Sequence, residues 1–121
     1  MAATTNPNYL CAPLTVPTTV TPLTSLLQQY FANNITGYVF DPVYSTVQIT
    51  AAKGNAGTIW VGSSDMANAG AANAIGVGSE LAAGDGYFES SDGPPCQIDV
   101  SPVYVQASAP SNQVLIRARR F

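Results

Sequence analysis

Apolar and polar residues trade places along this chain with two different periods, and the changes between them mark the elements. From Leu10 to Val16 the apolar positions Leu10, Ala12, Leu14 and Val16 alternate with Cys11, Pro13 and Thr15, the period of a half-buried strand. The proline inside it restricts such a strand to a sheet edge. At Leu23 the period lengthens, and Leu23, Leu26, Leu27 and Tyr30 recur at i, i+3, i+4 and i+7. That spacing predicts one short amphipathic helix, with Thr21 as N-cap, Pro22 as the first helical residue and Asn33-Asn34 at its close. Strand chemistry then returns with Tyr38, Phe40, Val43, Val47 and Ile49, interrupted by a bend at Asp41-Pro42.

Turn residues punctuate the chain beyond Ala52. Lys53-Gly54-Asn55-Ala56-Gly57 is a turn signal and Thr58 to Gly62 a strand, so residues 46 to 62 read as a β-hairpin. Further strands are expected over Gly86 to Ser90, Pro102 to Ala107 and Gln113 to Arg119, the last two joined through SAPSN as a second hairpin. Many short strands with a single short helix predict an all-β fold, a small β-sandwich or a jelly-roll-like barrel. Pro7, Pro13, Pro17 and Pro22 stand among threonines and disfavour helix. The expected organisation is therefore an extended arm over residues 1–22 and one β-sandwich domain over residues 23–121. An arm of about 20 residues spans ~60 Å at ~3.3 Å per residue, far enough to reach a neighbouring molecule.

Composition narrows the function more than the fold. Only 9% of the 121 residues are charged against 46% hydrophobic, which fits a subunit that loses surface to a partner. The net charge is −3 and the basic residues are Lys53, Arg117, Arg119 and Arg120, too few for a nucleic-acid footprint. MAATTNPNYL has neither a basic nor an apolar signal region, and no run of about 18 apolar residues could span a membrane. The chain is expected to fold in a cytosol, where Cys11 and Cys96 are read as free, buried thiols, although pairing stays open. The sequon Asn34-Ile35-Thr36 is then an accident of sequence.

Catalytic chemistry finds little to work with. The absence of histidine removes the commonest general base and the Ser/His/Asp nucleophile. Among Asp41, Asp65, Glu80, Asp85, Glu89, Asp92 and Asp99, a glycosidase-like pair could be drawn from Glu80 and Glu89, yet all sit near turns and read as solvated carboxylates. A calcium site from Asp65, Asp85 or Asp92 lacks DxDxDG spacing. Gly76, Gly78, Gly84 and Gly86 match no phosphate-loop pattern and read as turn glycines instead. No catalytic residue, cofactor or metal is expected, and the chain reads as a non-enzyme.

Candidate interaction residues lie elsewhere. The run Met66 to Gly78, with contact candidates at Ala69 and Asn73, is uncharged and small-sided, and orders only by lying against the domain or a neighbour. Strand alternation puts Arg117 and Arg119 on one face and Ile116 and Ala118 on the other, with Arg120 following. Pro13 and Pro17 are the contact candidates of the arm. Trp60, Tyr87, Phe88 and Tyr104 read as core aromatics.

The order GTIWVGSSDM, a Gly/Ala/Asn loop, LAAGDGYFE, IDVSPVYVQAS and NQVLIRARRF resembles a group of small bacteriophage virion proteins. In that group a GTVYVG strand, a loop, an L-x-x-G-E/D turn and a final IYV…V-L hairpin follow one another. The preceding TVTPLTSLL is similar to their x-V-x-L-x-S-L-L start, so the likeness runs over residues 19 to 119. The loop from Ser63 to Ser79 is longer here, and residues 1–22 have no counterpart there. The resemblance implies a capsid cement or decoration subunit that binds the major capsid protein and copies of itself, with a trimer among the arrangements. Its place would be the capsid surface, reached by assembly in the host cytoplasm. The alternative is a head-fibre or tail accessory module binding a receptor or glycan, for which Trp60, Tyr38 or Tyr44 would have to form an exposed cluster.

Overall fold

A computed structural model describes residues 4–5, 9–34, 38–64, 79–90 and 98–119. In chain order they form β1 (Thr4–Thr5), β2 (Tyr9–Thr15), β3 (Thr21–Pro22), α1 (Leu23–Asn34), β4 (Tyr38–Val39), β5 (Val43–Tyr44) and β6 (Thr46–Ala51). There follow β7 (Ile59–Gly62), β8 (Ser79–Leu81), β9 (Gly86–Ser90), β10 (Ile98–Asp99), β11 (Tyr104–Ala107) and β12 (Gln113–Arg119). The chain is mostly β with one helix, as its patterning predicts.

Two four-stranded sheets, ordered β2-β12-β6-β9 and β3-β11-β7-β8, carry the domain. Their orders correspond because the same four chain passes build both. Residues 9–22 run antiparallel to residues 104–119, and residues 46–62 run antiparallel to residues 79–90. Each pass leaves one sheet and enters the other. The passes are joined side by side through β12–β6 and β11–β7, also antiparallel. Two small pairs complete the ladders, parallel β1–β4 and antiparallel β5–β10.

This topology corrects both expected hairpins. Residues 46 to 62 do not fold back on themselves: β6 pairs with β12 and β9, while β7 pairs with β11 and β8. Likewise β11 and β12 flank their polar turn but belong to different sheets. The polar turns carry the chain across a crease, and the bonds made there run between passes. Thr58 N–H donates to Ser108 Oγ at 2.8 Å, and Ser108 N–H returns to the Thr58 carbonyl at 2.9 Å. Asn55 stands in for a missing ladder residue: its Nδ2 donates to the Gln113 carbonyl and its Oδ1 accepts from Gln113 N–H, both at 2.8 Å. Buried Asn112 accepts from Gly57 N–H at 3.1 Å and donates to the Ala109 carbonyl at 2.9 Å. Gly57 has no room for a side chain, since an added Cβ would run into Ser108 Oγ and lie 2.8 Å from Asn112 Nδ2.

The expected arm over residues 1–22 is also corrected. Residues 9–15 pair along their whole length with β12, and Leu10, Ala12, Leu14 and Val16 are buried in the core. The alternation of that segment gives it an apolar face, and burying such a face outweighs the freedom of an extended arm. Val16 donates its N–H to the Asn112 carbonyl, so alternation turns Leu14 and Ala12 toward β12 and leaves Pro13 facing the free edge, where a missing N–H costs nothing.

One buried cluster takes side chains from both sheets and from α1. Val47, Ile49, Val114 and Ile116 come from one sheet, Ile59, Val61, Leu81 and Val105 from the other, and Leu23, Leu27 and Phe31 from the helix. Leu26 and Tyr30 pack only partly against it, so the helix turns Phe31 inward and its buried stripe is i, i+4, i+8. Phe31 meets Phe40 edge-to-face with ring centroids 5.6 Å apart. The helix begins at Leu23, whose N–H donates to the Val103 carbonyl at 2.9 Å, while Thr21 and Pro22 pair with Val105 and Tyr104 of β11. Thr21 Oγ1 donates to the Thr19 carbonyl instead of capping the helix.

Deleting residues 2–18 removes a whole ladder and four core side chains, so the shortened chain loses its cooperative thermal transition and the dispersion of its amide NMR spectrum; a folded product would show that β2 is dispensable. At the crease, Gly57→Ala and Asn112→Ala each lower unfolding free energy in urea titrations by about 1–3 kcal/mol, the first by overpacking and the second by stranding the Gly57 N–H and Ala109 carbonyl.

Candidate functional site

Strand alternation decides what the β2-β12-β6-β9 sheet shows to its outside. Once Leu10, Ala12, Leu14, Val47, Ile49, Val114, Ile116 and Ala118 turn inward, the residues between them face out. Cys11, Pro13 and Thr15 are exposed on β2, Gln113, Arg117 and Arg119 on β12, while Leu115 and the β6 residues Thr46, Gln48 and Thr50 are half-buried. Register fixes the rows. Arg117 lies between Cys11 and Gln48, Leu115 between Pro13 and Thr50, and Arg119 opposite Thr46.

Among its described residues the face is uncharged apart from a column of cations. Arg117 and Arg119 sit two residues apart on one strand, ~7 Å along it, and repel each other weakly through water. Lys53 reaches the same face from the turn after β6, where it lines a hollow with Arg117. Among the described residues, no carboxylate pairs with Lys53, Arg117 or Arg119.

Acidic side chains are used differently. Asp41 Oδ1 accepts from Val43 N–H at 3.1 Å, and Asp99 Oδ1 accepts from Ser101 N–H at 2.8 Å, each closing its own turn. Asp85 does the same in reverse: its Oδ2 accepts from Ala82 N–H at 3.1 Å, and its own N–H donates to the Ala82 carbonyl at 2.9 Å. Gly84, within that turn, has φ +88°. The Ser101 hydroxyl, and after it the Ser101 N–H, hold the Asp99 carboxyl below the usual carboxylate range. A lowered folded-state value means that the stability from this turn contact is fully present above the ordinary carboxylate value and is lost as pH falls through the lowered one. Glu80 lies on β8 and Glu89 on β9, in different sheets. Asp65 and Asp92 lie outside the described residues.

Of the candidate contact residues, Pro13, Arg117 and Arg119 come together on this one face. Pro17 does not; it is half-buried at the crease, where its carbonyl accepts from Ala107 N–H at 2.9 Å. Ala69, Asn73 and Arg120 lie outside the described residues, as do Cys96 and the run Met66 to Gly78. Cys11 corrects its expectation: it is free but exposed, because the alternation that buries Leu10 and Ala12 turns it outward. Lys53 and Leu115 were missed. Leu115 left a signal, as the one apolar residue among outward positions that otherwise read Gln113, Arg117 and Arg119.

Among the residues whose side chains are described, no aromatic lies on this face. Tyr44 and Trp60 are buried, and Tyr104 packs beside Trp60 with Val20 on the other sheet. Trp60 lies opposite Gln106, which is buried and donates Nε2 to the Thr18 carbonyl at 2.9 Å. A glycan site built on Trp60 and Tyr44 is thereby removed.

Comparison of the chain with protein-family models, curated proteins and solved structures gave no match. The functional reading therefore stands on this surface and on the sequence pattern.

The thiol offers a direct check of the face. Iodoacetamide added to the native protein labels Cys11 as fast as it labels an unfolded control, read by peptide mass spectrometry; a reaction that needs denaturant would mean that β2 turns the other way.

Proposed function

We propose that this chain is a non-enzymatic structural subunit of a bacteriophage particle, seated on the major capsid protein by the outer face of the β2-β12-β6-β9 sheet. The observation that carries the reading is the column Arg117–Arg119, with Lys53 beside it, on an exposed face where no described carboxylate answers it. In a chain with four basic residues and a net charge of −3, such segregation gives that face a sign opposite to the rest. Potential of one sign on a flat surface steers a protein onto an acidic partner and fixes its register. The low overall charge and the resemblance of residues 19 to 119 to small virion proteins support the same reading.

The finer architecture belongs to this proposal. The correspondence of the two strand orders supports a β-sandwich made by folding four antiparallel passes over one crease, in the manner of a jelly roll. Function then follows from mass action. Many copies bind the assembled shell and not its separated subunits, so each bound copy raises the free energy needed to open it. Threonine and glutamine beside the cations cost less to desolvate than further charges would, and the arginines supply orientation.

The test uses particles of the phage that carries this gene, stripped of the protein. Wild-type protein co-sediments with them, the R117E/R119E variant binds more than 10-fold more weakly with an unchanged unfolding curve, and added salt weakens the wild type in the same sense. Cryo-electron microscopy then finds ordered copies across the shell with this sheet facing it. Copies confined to a vertex, fibre or tail would replace the seat on the shell with an accessory role.

A further inference from the structure

Two of the four basic residues of the chain, Lys53 and Arg117, line a single hollow of ≈ 410 Å³ on this face, together with Gln48, Thr50, Ala52 and Leu115. Among the described residues, no carboxylate lines it. Its size falls in the ~300–1,000 Å³ range of ligand sites, larger than one small anion needs. The stem of exposed Lys53 runs beside the bare turn at Gly84, where a Cβ would lie 3.8 Å from its Cγ, and the residue lines the hollow from there. Arg117 is placed by the ladder on both sides, opposite Cys11 and Gln48. Gln48 and Thr50, two apart on β6, add neutral donors and acceptors. Leu115 and Ala52 add an apolar wall.

From these groups we infer that the hollow receives an acidic segment of the partner protein, an aspartate or glutamate carried next to an apolar side chain. The carboxylate takes the planar guanidinium of Arg117 in a two-point contact and the ammonium of Lys53 as a point charge. The apolar neighbour covers Leu115, which otherwise stays half-exposed on a polar face. A free phosphate would satisfy the two cations but leave the Leu115 wall bare. Asp41, Asp85 and Asp99 of this chain are engaged in their own turns and Glu80 lies in the other sheet, so no carboxylate among the described lining residues supplies the hollow from this chain. The inference rests on the proposed seat for the identity of the partner, and adds to it the kind of residue that the seat selects.

The experiment needs only the full chain, labelled with nitrogen-15, and three probes: acetyl-Leu-Glu-Leu-amide, acetyl-Leu-Gln-Leu-amide and inorganic phosphate. The glutamate peptide shifts the amides of Gln48, Thr50, Lys53, Leu115 and Arg117 saturably, the glutamine peptide binds at least 10-fold more weakly, and phosphate leaves Leu115 unmoved. K53E/R117E, with the rest of its spectrum unchanged, loses the response. Equal binding of the two peptides, shifts mapped to another surface, or self-association of the free protein through Lys53 and Arg117 would overturn the inference. Because no particle enters the assay, its failure leaves the co-sedimentation result standing on its own, and a loss of co-sedimentation leaves the peptide result readable.

Discussion

Four passes of chain cross between two sheets at one crease, and every backbone group taken out of water there has to find a partner. Unmade bonds in such a place cost ~1–3 kcal/mol each, enough to open a small domain. Asn55, Asn112 and Ser108 meet the requirement with side chains, reading the backbone of the neighbouring pass as another strand would. The second pair of passes closes with main chain alone, Ala51 N–H to the Asp85 carbonyl and Gly84 N–H back to the Ala51 carbonyl. With the corner held, both sheets turn their apolar faces to one core, and the positions of the outward residues follow without further choice.

That dependence links the core to the surface. Arg117 and Arg119 occupy their places because Ile116 and Ala118 are buried between and beside them, and Cys11 is outward because Leu10 and Ala12 are not. The carboxylates of Asp41, Asp85 and Asp99 shape turns and leave the cations of the β2-β12-β6 face unanswered within the described chain. A sheet braced on its far side by a packed core is a stiff platform, so little ordering cost attaches to binding on it.

Patterning along the sequence identified the helix, the strands of residues 86–90 and 113–119 and the inward and outward faces of β12, because those depend on a local period. It did not separate a hairpin from a corner. KGNAG and SAPSN contain the residues that suit either, and only the partner of each flanking strand tells them apart. The prolines of residues 1–22 likewise favoured an arm, whereas the burial of Leu10, Ala12, Leu14 and Val16 depends on β12, far along the chain. For the candidate site, the arginine column was legible from alternation. Lys53 was not, since its place beside Arg117 arises from the turn that sets it by Gly84.

The pairing of Leu10 with Ala118 also sets an order in time. Until residues 113–119 have left the ribosome, the strand that begins at Tyr9 has no ladder to join, and its alternating apolar face waits in water beside other nascent copies. Closure of so long a loop is slow, and an unpaired edge is the usual seed of misassembly. Pro13, in the middle of that strand, removes an N–H only from the side facing away from β12, so a foreign strand finds a complete ladder only on the side that β12 later covers.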